Sequence, residues 1–183
     1  MEFLEQLTGR NAHFAETAFV PGLKMMPSTG TIVVGCVDPR VDPAAVLGLE
    51  QGEAAVIRNV GGRVTRNLIE TLGILRVVAQ AAGREGGVRN LVLLHHTDCG
   101  IIGCYHHEPE LLARHMGVEP GALDNLAVTD PYKAVVKDIA ILKATAQLAD
   151  TIVVTGLVYA VATGLVETVA APGPLRLPPG TRK

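Results

Sequence analysis

At 183 residues the chain is long enough to fold as one domain around a sizeable hydrophobic core. A formal net charge of −2 provides no general attraction for nucleic acid or an anionic membrane, so neither is expected as a partner. Hydrophobic residues make up 48% of the chain but aromatics only 3%, and three cysteines exclude a paired disulfide framework and point to reduced thiols in a cytoplasmic protein.

Residues 1–30 read as an N-terminal helical arm. Apolar positions at Phe3, Leu4, Leu7, Phe14 and Phe19, interrupted by Thr8-Gly9-Arg10-Asn11, predict two short helices or a segment lying on a partner. The start, Met1 to Glu5, has no basic and apolar signal-peptide pattern, so no leader is expected. Thr31–Cys36 is the first strand, and Asp42-Pro43 then caps a turn and short helix between Val41 and Gly52. Ala54–Ile57 is the second strand and runs into Arg58-Asn59-Val60-Gly61-Gly62, whose glycines permit positive φ. Leu68, Ile69, Leu72, Leu75, Val78 and Ala82 mark a crossover helix over 67–82, before a third strand at 91–95. Residues 104–130 lack periodicity and predict short helices and loops. A helix capped by Asp130-Pro131 is expected to reach about Ala149. Thr151–Leu157 and Leu165–Val169 predict a fourth strand and an antiparallel last one; Gly156, Gly164 and many β-branched residues argue against a membrane span there. The Pro/Gly-rich tail, 171–183, reads as a flexible end or arm. Strands separated by helices over 31–170 imply a single α/β domain. Its mostly parallel sheet has about four parallel strands and an antiparallel edge strand, flanked by helices.

Chemistry-bearing residues gather at two strand ends. Cys36, Asp38 and Arg40 follow the first strand, and alternation puts them on one side if the backbone stays extended. Arg40 can then hold Asp38 in a charge-assisted hydrogen bond. The third strand ends in His95-His96-Thr97-Asp98-Cys99-Gly100. Cys36, His96 and Cys99 form a Cys₂His set of the kind zinc uses in catalytic sites with an open fourth position. His95 is the rival donor but points away from His96 along an extended strand. The alternative is three unrelated buried residues, since buried free Cys is common.

Cys36-x-Asp38-x-Arg40, Arg58-Asn-Val-Gly-Gly62 and His96-x-x-Cys99 together resemble the signature of the β-class carbonic anhydrases. The likeness runs from about residue 30 to 169 and includes Val158-Tyr159 and Thr163-Gly164. It implies an enzyme with one zinc per chain that interconverts carbon dioxide and bicarbonate through zinc-bound hydroxide. Cys36, His96 and Cys99 are the implied ligands, and the Asp38–Arg40 dyad is the implied gate on the fourth position. Asp38 is the alternative fourth ligand in a closed state. Gly61, Gly62 and Gly100 are expected to line the substrate pocket, and the family implies a homodimer or homotetramer with its N-terminal helices embracing a partner. Carbonyl sulfide or carbon disulfide hydrolysis on the same scaffold, or a non-catalytic zinc-binding member, are the alternatives. His106, His107 and His115 are proton-relay candidates by type alone, and Cys104 reads as a packed thiol. Three features depart from the family pattern: Pro39 replaces a small residue, Ala160 stands where Asp is common, and the chain has no Trp for the family's non-catalytic bicarbonate site.

Overall fold

A computed structural model describes residues 2–83 and 88–176. Its centre is a five-stranded sheet in the order β2-β1-β3-β4-β5, with β1 (Thr31–Cys36), β2 (Ala54–Asn59), β3 (Asn90–His96), β4 (Val153–Ala160) and β5 (Leu165–Pro174). The first four strands are parallel and β5 pairs antiparallel with β4. The chain goes from β1 outward to β2, then crosses back over β1 to β3. In such sheets ligands bind outside the strand carboxyl ends where the order reverses, which here is the β1/β3 boundary.

β1 is an apolar run buried from Ile32 through Cys36, as a strand covered on both faces must be. α3 (Arg66–Ala81) and α6 (Pro131–Ala144) pack on the sheet, joining Leu68, Leu72, Val135, Ile139 and Leu142 to Ile32, Val34, Leu91, Leu93, Val154 and Val158 in the main core. Thr65 caps α3 by accepting from Leu68 N–H, and Asp130 caps α6 by accepting from Tyr132 and Lys133 N–H. Asp42 does the same for α2 (Pro43–Leu47), accepting from Ala44 and Ala45 N–H. A second cluster, around Ile101, Leu112, Met116, Leu123 and Val128, closes over the β3 end. It is built by α4 (Ile101–His107), α5 (Pro109–Met116) and a 3₁₀ turn over Pro120–Leu126.

Four expectations change. Residues 2–17 form one continuous helix, α1 (Glu2–Thr17), with no buried residue; Gly9 has open space around it and weakens the helix without breaking it. α6 stops at Ala144, and buried Leu148 belongs to the turn that follows. β4 therefore starts at Val153 and runs to Ala160. The first part of the tail is anchored: β5 continues to Pro174, Leu175 is buried, and Arg176 donates to the carbonyls of Lys143, Thr145 and Leu148. The rest of that tail, 177–183, lies outside the described residues. No helix among the described residues is long and apolar enough to cross a membrane.

Candidate metal centre

The two strand ends meet. Gly35 of β1 pairs with Leu94 of β3, so Cys36 leaves the sheet beside the last residues of β3. The donor atoms of Cys36, His96 and Cys99 all lie within 4.8 Å of one another. Two sulfurs about 2.3 Å from one zinc at a tetrahedral angle lie about 3.8 Å apart, and the Cys36 and Cys99 Sγ atoms are 3.8 Å apart. His96 Nδ1 is 2.9 Å from the Thr97 carbonyl, which places the ring hydrogen on Nδ1 and leaves Nε2 as a lone-pair donor. That Nε2 is buried with no hydrogen-bond partner, so the residues present fit a zinc ion.

Electrostatics support the same reading. The Cys99 thiol hydrogen-bonds Cys36 and is the main reason the Cys36 thiol ionises below its ordinary value; burial opposes, while His96 and the Asp38 and Gly61 N–H groups assist. Cys99 is pushed up in turn by sharing its proton with Cys36 and by burial. Burial works against a charged His96, but the Cys36 sulfur and the Thr97 carbonyl outweigh it and raise its pKa. The sulfur pair thus shares one proton and one negative charge beside His96.

The extended-strand explanation for Asp38 and Arg40 does not hold. Asp38 instead caps a 3₁₀ turn over Pro39–Val41 and accepts from Arg40 N–H at 2.9 Å. Pro39 occupies the first position of that turn, where no N–H is needed and where proline keeps Asp38 out of the helical region. The departure at position 39 is therefore absorbed by the local geometry. Arg40 folds back to donate from Nε to Asp38 Oδ1 at 3.0 Å and from Nη2 to Asp38 Oδ2 at 2.7 Å. These bonds pull the Asp38 carboxyl down to about 2. Both Asp38 oxygens are engaged by Arg40, and the carboxylate is not part of the three-donor cluster.

The sequence did not reveal three supporting features. Asp98, with φ of 55°, accepts from Arg40 Nη1 at 2.8 Å and its carbonyl from Arg40 Nη2 at 2.8 Å, so one guanidinium ties the β1 loop to the β3 loop. Arg58 at the end of β2 donates to the carbonyls of Cys36 and Asp38 and to the Asp42 carboxylate, pinning the β1 loop from the other side. Beneath the donors, Arg63 and Asp138 form an ion pair 2% and 0% exposed, with His95 Nε2 at 3.3 Å from the same carboxylate. Burial pushes the Asp138 carboxyl up, but His95 and Arg63 together outweigh it and hold it below the ordinary value. A legible signal existed: Asp138 is a charge on the apolar face of α6, between Val135 and Leu142.

A cavity of about 20 Å³ adjoins the donors, lined in part by Gly61, Arg63, His95, His96, Cys99 and Ile101. Gly61 belongs there: at φ 73° its missing Cβ would stand 2.6 Å from Ile101 Cδ1. Gly62 and Gly100 are not among the residues that line this cavity. Gly62 lets the turn close onto Gly35 and Cys36, where a Cβ would fall 3.1 Å from the Gly35 carbonyl carbon, and Gly100 caps α4. His106, His107 and His115 are exposed and none lines the cavity. Cys104 packs against the second core cluster. Ala160 ends β4 in a turn closed by its own carbonyl, which accepts from Thr163 and Gly164 N–H.

A family model described as carbonic anhydrase matches residues 31–166, spanning β1 to β4 and all three donors. The chain belongs to the β-carbonic anhydrase family. It is 38% identical over 102 residues to a β-carbonic anhydrase 1 of Mycobacterium tuberculosis, covering 56% of this chain and 58% of that relative. The match thus spans little more than half of that protein's length. A solved carbonic anhydrase from Streptococcus mutans superposes with a TM-score of 0.72 at 34% identity, covering 92% of this chain and 98% of that one. A carbon disulfide hydrolase of Acidianus is 24% identical over 155 residues, 72% of each chain.

Proposed function

We propose that this β-carbonic anhydrase family member catalyses reversible hydration of carbon dioxide to bicarbonate and a proton, with zinc held by Cys36, His96 and Cys99. One observation carries the reading: three donor atoms of the right chemistry converge within 4.8 Å while both oxygens of the neighbouring Asp38 are engaged by Arg40. Zinc at such a site supplies Lewis acidity, lowering the pKa of a coordinated water towards neutrality.

The protein's own groups do the rest. The Thr97 carbonyl fixes the His96 tautomer, and Arg58 and Arg40 hold the two loops in register. Asp38, kept ionised by Arg40, is an acceptor that orients the attacking water through its hydrogen. The Arg40 hydrogen bonds would keep Asp38 from serving as a further donor to zinc, and their release would make its carboxylate available for that role. The small cavity beside the donors, walled in part by Ile101, Ile102 and Val128, has room for one end of a small substrate and none for a bulky one. Phe3, Leu7 and Phe14 lie exposed along one face of α1, 68%, 44% and 40% open, and we assign that face to a second copy of the chain in a homo-oligomer.

The match to a carbon disulfide hydrolase makes carbon disulfide or carbonyl sulfide hydrolysis the second reading. Parallel assays on zinc-loaded protein separate them. Fast carbon dioxide hydration with slow sulfide release is the expected outcome; rapid sulfide release with negligible hydration overturns the first reading. Stoichiometric zinc with neither activity assigns a non-catalytic role.

A further inference from the structure

Arg63 is 2% exposed, yet its Nη1 has no hydrogen-bond partner. The rest of the guanidinium is fully used. Nε donates to Asp138 Oδ2 at 2.9 Å, and Nη2 donates to Asp138 Oδ1 at 3.0 Å and to the Leu126 carbonyl at 2.8 Å. Asp138 is itself fixed by Val64 N–H at 3.0 Å and approached by His95, so the fork cannot swing to find another acceptor. Buried donors are almost always satisfied, and one left free on a rigid cation marks a place for a ligand atom.

Its position is informative. Arg63 lines the cavity of about 20 Å³ together with Gly61, His96 and Cys99, so it shares a wall with two of the three metal donors. That volume takes roughly one water-sized group, such as a single oxygen atom of a larger ligand. Gly61 makes room for the side chain, because a Cβ there would come 3.1 Å from Arg63 Cγ. Asp138 already balances the Arg63 charge, so the site needs no second counter-ion for folding. A spare guanidinium N–H bonds an anionic oxygen far better than a neutral one, which selects bicarbonate over carbon dioxide.

We infer that Arg63 Nη1–H holds one oxygen of bicarbonate beside the metal donors. The inference rests on the hydration reading above, and adds to it the residue that distinguishes the anionic substrate from the neutral one. Asp138 is the positioning residue that aims the fork.

The test titrates zinc-loaded protein with sodium bicarbonate against sodium chloride at equal ionic strength and pH 8, following the unfolding temperature. The wild type should show a saturable rise with bicarbonate alone. Arg63→Lys retains a cation for Asp138 but loses the spare planar donor, and should need about tenfold more bicarbonate or higher for half the rise. Its zinc content should match the wild type, and its KM for bicarbonate should rise while that for carbon dioxide stays within about twofold. If Arg63→Lys does not fold, the neutral pair Arg63→Gln with Asp138→Asn takes its place with the same expected loss. Equal half-saturation in wild type and variant overturns the inference, as does a wild type with no bicarbonate-specific rise, whose cavity then holds only water. An Arg63-dependent rise in a protein that hydrates no carbon dioxide overturns the activity and upholds this contact.

Discussion

Arg40 divides one guanidinium between two carboxylates that flank different members of the donor cluster, Asp38 beside Cys36 and Asp98 beside Cys99. The two contacts differ in kind. Asp38 is mostly covered and bound through two side-chain hydrogen bonds, whereas the Asp98 side chain is 79% exposed. Solvent screening therefore makes the Asp98 carboxylate a minor anchor. Asp98→Ala should keep its zinc and lose no more than about fivefold in hydration rate, because the Asp98 carbonyl still holds Arg40. Arg40→Ala removes the guanidinium anchors and leaves Asp38 only the backbone N–H at position 40, so under the proposed gating Asp38 then takes the fourth position. Zinc should remain while hydration falls about 100-fold, measured by stopped flow, and an unchanged rate would count against the dyad. The same geometry explains why residue-level reading of the sequence succeeded for the wrong reason. Asp38 and Arg40 do pair, yet a capped turn around Pro39 joins them and strand alternation does not.

At the scale of elements, what repeats was legible and what depends on remote contacts was not. The apolar runs of β1, β3 and β4 and the stripe of α3 lie close to where their periodicity places them, because each buries its own repeating face. The overrun of α6 has a physical cause. Leu148 continues the apolar count, but it reaches the core from a turn whose carbonyls are tied by Arg176, some thirty positions away. The Arg63–Asp138 pair joins the turn after β2 to α6, a partnership that no local spacing encodes. Turn glycines were read correctly as a class but not individually. Gly61 is required by both its φ of 73° and the 2.6 Å approach to Ile101, so Gly61→Ala should cost about 1–3 kcal/mol in a denaturant melt and shrink the cavity. A loss below measurement error would show that Ile101 and the turn relax freely.

For the whole molecule, two properties follow from where charge and apolar surface lie. Asp138 is fully buried with its carboxyl held below the ordinary value of about 3.9. Its contribution to stability is complete above that value and is lost as pH falls through the lower folded value. Asp138→Asn should therefore weaken the fold by about 3–5 kcal/mol at pH 7, where Arg63 loses its partner, and should flatten the decline in stability below about pH 4. Denaturant melts across pH check both limbs; an unaltered acid limb would mean that another carboxylate controls it. The exposed face of α1 belongs to the same scale. Phe14→Glu should shift sedimentation towards monomer without unfolding the sheet, since α1 contributes no buried residue to its own chain.

The most direct measurement is zinc per chain in the wild type and in Cys99→Ser, both purified with zinc available and then dialysed. Cys36, His96 and Cys99 as the ligand set require about one zinc per wild-type chain and a large loss in the variant, since a serine hydroxyl is a poor replacement for a thiolate. Full zinc retention by Cys99→Ser, or a wild type that hydrates carbon dioxide at full rate after complete chelation, would contradict it.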